Sequence, residues 1–409
     1  MYEVKTVIIM GRGVEGCGVT KFTLEQIKWL KKNNHEYKVY ASKDKSWTRK
    51  KSHDTSEINQ IKFVKPEEIV KMIEDCNKAD FVIINSLPSK GHPKKCIEQF
   101  ITALNSITVP VVLIQHDHSS LSINRNAGLD ESIQKASLIF AHSRSNDFSR
   151  KVLESIPKSN SVFSGFIKNK STVKEVLNFQ PGMDFDSVKE KYWKDLSVQD
   201  NRHHKWIGRT TSWKGYRELL EFHNEYLMPN KYLTTLEGIE KSPAYLGFKK
   251  LSEFHDFVDQ PTDRVDLTNY YGSYACVFGP YVNEEMLERM SRVAFGYQLS
   301  LLKPHFIERS VEYTHCELVC TGVVPVFKRG YGEYCTHRES GKKLIEHDNT
   351  GTVWFDDDNM SETFKVLDEL SRNKSMREEY RISAYNFYKS HQDSQYTFEE
   401  MFKQIKEKL

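Results

Sequence analysis

The sequence predicts an α/β protein made of two halves, each built around a parallel sheet, and three observations carry that reading. Short apolar runs alternate with helical patterns from Val7 to Phe140, and a second series of the same kind begins at Trp206. Between them, Asn178-Phe179-Gln180-Pro181-Gly182-Met183-Asp184 interrupts both periodicities with Pro and Gly.

The first series offers strands at Val7–Met10, Tyr37–Tyr40, Phe81–Ile84, Val111–Ile114 and Ser137–Phe140, with helical crossovers between them. The second offers Trp206–Gly208, Leu233–Leu236, Ala275–Phe278, Val323–Phe327 and Thr352–Phe355. After Lys214, the residues Tyr216, Leu219, Leu220, His223 and Leu227 form one apolar stripe, as a helix packed on a sheet requires. Ser371–Leu409 is mainly helical. No repeat or low-complexity tract is present.

A chain of 409 residues exceeds one core, and 38% hydrophobic with 28% charged residues suits a globular protein of ordinary composition. A net charge of +3 is too small to mark a nucleic-acid binder by itself. The charge is uneven, however: Lys43-Asp44-Lys45-Ser46-Trp47-Thr48-Arg49-Lys50-Lys51 carries five cations, one acid and an aromatic residue. Most such runs are solvated loops. The seven cysteines form no Cys-x-x-Cys pair and read as reduced thiols of a cytosolic protein. No signal segment is apparent, and apolar runs such as Val109–Ile114 are too short to span a bilayer.

Ligands of doubly wound sheets bind past the carboxyl ends of the strands, so the residues there are the candidates. Gly11-Arg12-Gly13-Val14-Glu15-Gly16-Cys17-Gly18 opens a helix and contains a formal G-x-G-x-x-G. The acid that a dinucleotide ribose needs is missing at Tyr40-Ala41-Ser42-Lys43, which disfavours a nicotinamide enzyme. Gln115-His116-Asp117-His118-Ser119 follows a strand; two histidines and one acid lack a convincing third metal ligand, so no metal is expected. Capping of a helix by Asp117 or Ser119 is the plain alternative to a catalytic role. Asp184–Asp186 and Asp356–Asp358 are simplest as a turn and a solvated surface. In Trp206-Ile207-Gly208-Arg209-Thr210-Thr211-Ser212-Trp213-Lys214-Gly215, two cations flank a strand-to-helix turn, an arrangement that can hold a diphosphate.

Three elements, Gly208-Arg209…Lys214-Gly215, Cys276–Val282 leading into Asn283–Leu287, and Glu317–Val326, stand in the order and spacing of the nucleotide-sugar domain of retaining glycosyltransferases. The chain resembles that class, which implies the GT-B fold, two Rossmann-like domains whose parallel sheets face a central cleft. More narrowly, Arg12–Phe22, Gln115–Ser119, Trp206–Gly215, Glu285–Ser291 and Glu312–His315 resemble the DNA α-glucosyltransferases of T-even bacteriophages, essentially end to end.

The resemblance implies transfer of glucose from UDP-glucose to the hydroxymethyl oxygen of 5-hydroxymethylcytosine in duplex DNA, with retention, in the cytoplasm of an infected bacterium. It implies a UDP-sugar as co-substrate, no prosthetic group, no divalent metal and no membrane partner. Arg209 and Lys214 are expected on the diphosphate, Glu317 on the ribose and the backbone near Tyr281 on uracil. Gly16, Gly18 and Val19 leave room for the phosphates, and the backbone around Glu312 and Tyr313 faces the diphosphate and sugar. His116 is expected on a sugar hydroxyl, and Asp117 to orient or deprotonate the acceptor. Where the wider class places a second glutamate eight positions before the ribose glutamate, this sequence has Arg309, beside Glu308. That departure leaves UDP-arabinose as an alternative donor; separately, a GT-B transferase acting on a glycan is the alternative to a DNA acceptor, and the basic loop from Lys43 to His53 speaks against it. DNA is expected on the first half, with Lys43, Lys45, Arg49, Lys50, Lys51 and His53 on backbone phosphates and Trp47 stacking or wedging. The expected domains are 1–180, completed by a C-terminal helix at 388–409, and 181–387.

Overall fold

A computed structural model describes residues 4–13, 18–43, 54–116, 127–141, 176–179, 181–208, 214–237, 264–266, 275–278, 283–300 and 313–409. The chain divides into two compact units. The first takes Met1–Gly182 and Ser394–Leu409, and the second takes most of Met183–Asp393.

The first unit is a parallel sheet of β1 (Lys5–Met10), β2 (Glu36–Ser42), β3 (Asn59–Ile61), β4 (Phe81–Ser86), β5 (Val111–Gln115), β6 (Leu138–Ala141) and β7 (Val176–Asn178), in spatial order 3-2-1-4-5-6-7. Its helices are α1 (Gly18–Lys32), α2 (Pro66–Cys76), α3 (Lys94–Ser106) and α4 (Leu129–Lys135). β1, β4 and β5 are apolar on both faces because helices cover both. Alternate residues Val7, Ile9, Val82, Ile84, Val111 and Leu113 meet Ile69 and Met72 of α2 and Phe100 and Leu104 of α3. Burying each of these large side chains contributes roughly 1.5–3 kcal/mol before the entropy of ordering them.

The second unit repeats the plan with β8 (Asp200–Ile207), β9 (Leu233–Glu237), β10 (Arg264–Asp266), β11 (Ala275–Phe278), β12 (Val293–Gln298), β13 (Val324–Lys328) and β14 (Val353–Phe355), in order 10-11-9-8-12-13-14. Only β10 is antiparallel among the described strands. Its helices are α5 (Phe185–Tyr192), α6 (Tyr216–Phe222), α7 (Asn283–Met290), α8 (Tyr313–Cys320), α9 (Arg329–Tyr334), α10 (Met360–Arg372) and α11 (Lys374–Gln392). One sheet face, with Trp206, Phe295 and Tyr297, packs on α6 and α10. The other, with Ile207, packs on α7, α8, α5 and α11. The stripe after Lys214 is helical as expected, but its second half, His223–Leu227, is a π turn closed by Met228 N–H donating to the His223 carbonyl at 2.7 Å.

The chain returns to the first unit at Ser394, where α12 (Ser394–Lys408) starts, rather than at 388, because α11 runs unbroken to Gln392. On α12, Phe402 stacks on Trp29 with centroids 4.7 Å apart, and Phe398 meets Phe22 edge-on at 5.2 Å. β3, β7, β10 and the central β12 were not among the sequence-predicted strands. In β12, Gly296 interrupts the apolar run because a Cβ there would fall 2.3 Å from Leu318 Cδ2 of α8.

Candidate active site

In the first unit, the segments that leave β1, β4 and β5 converge at the carboxyl edge of the sheet. Gly11 N–H donates to the Ser86 carbonyl at 2.7 Å, and Arg12 N–H donates to Ser86 Oγ at 3.3 Å. α1 begins at Gly18, exposed and with nothing within 4 Å of the Cβ direction, and Val19 follows half-buried. An open helix start of this kind can receive an anion on its backbone N–H groups.

His116 directly follows β5. Its ring stands edge-on to Phe22 of α1 at 4.9 Å and to Phe179 at 5.1 Å, and Phe22 and Phe179 touch each other at 5.2 Å. Aromatic walls on two sides restrict the imidazole to a narrow range of orientations. Gly16, Asp117, Lys45, Trp47, Arg49, Lys50, Lys51 and His53 lie outside the described residues, and Lys43 is exposed after β2, its N–H donating to the Ile61 carbonyl at 2.7 Å.

In the second unit, Trp206 supports both ends of the predicted diphosphate turn. Its indole N–H donates to the Lys214 carbonyl at 3.1 Å, and its ring lies 2.9 Å from the Cβ position of Gly208. Lys214 is buried, and Gly215 adopts φ +74° with its Cβ direction closed by the Leu299 carbonyl oxygen at 2.0 Å, so no other residue fits there. The turn's arginine, Arg209, lies outside the described residues, as do Tyr281 and Glu312. Glu317 is buried on α8, and Tyr313 is half-buried at the start of that helix.

One arrangement escaped the sequence reading. Glu237, the last residue of β9, is wholly buried; Lys205 Nζ of β8 stands 2.7 Å from its Oε2, and Arg289 Nη2 of α7 stands 2.5 Å from its Oε1. Its carbonyl also accepts from Gly208 N–H at 3.0 Å. Burial pulls the Lys205 pKa down and Glu237 opposes that pull. Two cations therefore share one buried carboxylate next to Gly208, and Arg289 also reaches the exposed Glu285 at 3.6 Å. The available signal was a charged residue ending one apolar strand and another inside its neighbour. A half-buried carboxyl, Glu218, stands in the first turn of α6; burial raises its pKa while Lys328 works against the rise.

Among the described residues no group of three or more His, Cys, Asp or Glu side chains is placed to hold a metal ion, and no helix is long and apolar enough to cross a membrane. Asp184 caps α5 by accepting from Ser187 N–H at 3.1 Å, and Asp186 bonds Lys389 and Tyr385, each at 2.6 Å.

Two doubly wound sheets of this order are the architecture of the GT-B class of nucleotide-sugar-dependent glycosyltransferases. The family model for DNA alpha-glucosyltransferase matches residues 17–375. The DNA alpha-glucosyltransferase of Enterobacteria phage T4 is 40% identical over 399 residues, covering 97% of this chain and 98% of the relative. A solved alpha-glucosyltransferase in complex with UDP-glucose and DNA containing an abasic site superposes with a TM-score of 0.86 at 37% identity, over 99% of this chain and all of that one. Another, in complex with UDP and a 13-mer DNA containing an HMU base, gives a TM-score of 0.84 at 38% identity over 98% of this chain and 99% of that chain. The chain belongs to the DNA alpha-glucosyltransferase family.

Proposed function

We propose that this enzyme transfers glucose from UDP-glucose to the hydroxymethyl oxygen of 5-hydroxymethylcytosine in duplex DNA, with retention of the α configuration, in the cytoplasm of an infected bacterium. The observation that carries the reading is 40% identity to the phage T4 enzyme along almost the whole chain. The named relative transfers glucose, and the solved neighbours hold UDP-glucose or UDP together with DNA, which favours glucose over arabinose as donor and DNA over a glycan as acceptor. The second unit takes the nucleotide sugar and the first takes the DNA.

Breaking the bond between the sugar C1 and the β-phosphate oxygen leaves UDP with one more negative charge than it carried in the intact donor. Arg209 and Lys214 attract that growing charge more strongly in the transition state than in the ground state, which is the condition for catalysis. Glu317 accepts from the ribose hydroxyls, and backbone near Tyr281 meets uracil. The backbone of Gly16, Gly18 and Val19 leaves the phosphates space, and the helix start at Glu312 and Tyr313 faces the diphosphate. His116, held by its aromatic walls, orients a sugar hydroxyl. As the hydroxymethyl oxygen bonds to C1, its proton passes to Asp117 or to the departing β-phosphate oxygen, and in the second case Asp117 orients the acceptor. Lys43, Lys45, Arg49, Lys50, Lys51, His53 and Trp47 engage the DNA around the acceptor base.

The test is incubation with UDP-glucose or UDP-arabinose and with hydroxymethylated or plain duplex DNA, followed by mass analysis of the nucleosides. A hexose on hydroxymethylcytosine alone is expected. A pentose adduct, or transfer to neither DNA, would overturn the reading.

A further inference from the structure

We infer that a second basic element, the turn Leu87–Pro93 with the first residues of α3, grips the DNA phosphate backbone beside the acceptor nucleotide through Lys90, Lys94 and Lys95. The inference rests on the DNA-acceptor reading above and adds a surface outside the Lys43–His53 loop.

Its position comes first. The turn leaves the central strand β4, between β1 and β5, and therefore stands at the same sheet edge as Gly18 and His116. It is built into that edge: a Cβ on Gly11 would fall 2.5 Å from Pro88 Cδ, and the Pro88 carbonyl accepts from Ala127 N–H at 2.8 Å. The turn is also fixed internally. His92 N–H donates to the Ser89 carbonyl at 2.8 Å, Ser89 N–H donates to His92 Nδ1 at 3.0 Å, and the His92 ring is buried. Three exposed lysines are thus presented on a rigid frame, so ordering them on a ligand costs side-chain entropy alone.

The charge pattern comes second, and it runs against stability. No acidic residue occurs between Asp80 and Glu98. α3 begins with Lys94-Lys95, has no acid in its first turn, and Pro93 supplies no side-chain cap. Cations at the positive end of a helix dipole are unfavourable, whereas α2 in the same unit follows the stabilising rule with Glu67 and Glu68 in its first turn. Lys94 approaches Glu98 at 3.6 Å, both largely exposed, and among the described residues neither Lys90 nor Lys95 has an acidic partner. A local electrostatic conflict at the site edge is relieved by a polyanion, and a phosphodiester strand laid across β4 supplies one.

The test compares Lys90→Gln/Lys95→Gln with Lys32→Gln/Lys78→Gln, which removes the same charge at the amino edge of the same sheet. Duplex affinity is measured against salt for both and for the unaltered enzyme, together with the KM for UDP-glucose. The first variant should flatten the slope of log affinity against log salt by about 1.8, from about 0.9 per lost phosphate contact, and raise the KM for DNA while leaving that for UDP-glucose unchanged. The control variant should keep the original slope. Equal slopes in the two variants would overturn this surface. Failure of the unaltered enzyme to bind or modify DNA would instead overturn the proposed function.

Discussion

Replacing Glu237 by Gln removes the buried negative charge that Lys205 and Arg289 share. The carboxylate is fully buried and Lys205 is 2% exposed, so neither ion has water to fall back on when its partner is lost. Arg289 is 35% exposed and can turn partly to solvent or to Glu285, 3.6 Å away, so the cost falls mainly on Lys205. Breaking a buried pair while leaving the opposite charge in place costs about 3–5 kcal/mol. At roughly 2–4 °C per kcal/mol for a unit of this size, the second unit should melt about 10 °C lower. The assay is thermal and urea unfolding of the Glu237→Gln variant beside Lys205→Met/Glu237→Gln, in which the stranded cation is gone and much of the loss should be recovered. The pH dependence supplies a separate sign. A lysine whose folded pKa is pulled below its unfolded value of about 10.4 binds more protons when unfolded, so the single variant should gain stability as pH rises and its deficit should shrink. A loss below about 1 kcal/mol, or a double variant as unstable as the single one, would refute the claim that this cluster stores an ion pair that cannot be solvated.

Four further outcomes are expected. Lys214→Ala should lose roughly 2–4 kcal/mol of transition-state stabilisation with little change in DNA binding, and near-normal turnover in the folded variant would remove Lys214 from the diphosphate. Asp117→Asn should still bind both substrates yet transfer glucose about 100-fold more slowly; an active but thermally weakened variant would make Asp117 a helix cap. Neutralising two cations between Lys43 and Lys51 should lower the DNA salt slope by about 0.9 per contact and leave UDP binding alone, and an unchanged slope would make the run a solvated loop. His204 is fully buried, with Nδ1 2.6 Å from the Tyr297 hydroxyl, and burial holds its pKa well below the ordinary value. The unfolded chain takes up that proton as pH falls through about 6.5, so stability should drop there, and less steeply in His204→Gln; matching unfolding profiles in the two proteins would exclude His204 as the cause.

The strands most plainly legible are those whose apolar runs are continuous. Val7–Met10, Phe81–Ile84 and Val111–Ile114 lie in the middle of a sheet covered on both faces, where burial demands uninterrupted Val, Ile and Leu. β12 is equally central, yet Gly296 and Gln298 break its pattern, one to let Leu318 approach and the other to pair with Ser300 Oγ at 3.0 Å. β3, β7 and β10 are three-residue strands, too short for any period to register. The site divides in the same way. His116, Lys214 and Glu317 stand in local motifs that a reader can recognise, although Gly215 beside Lys214 is required by Leu299, a contact far along the chain. Lys205, Glu237 and Arg289 come from three separate elements, and only the pairing of β8 with β9 under α7 makes them one group. The lysines of the Leu87–Pro93 turn acquire meaning only from the sheet edge on which β4 ends.

The seat of His116 is finished by α12, a helix far along the chain from α1. Phe22, one wall of that seat, rests on Phe398, and Trp29 of the same helix rests on Phe402. A ribosome delivers the amino-terminal sheet first, but the side of α1 that carries these rings stays uncovered until α12 emerges, several hundred residues later in the message. Pairings this remote in sequence form slowly. The second unit, whose described elements are contiguous apart from its own loops, can close before that. Synthesis therefore imposes an order in which the second unit matures ahead of the first, and a nascent chain halted before α12 carries His116 on an unfinished support.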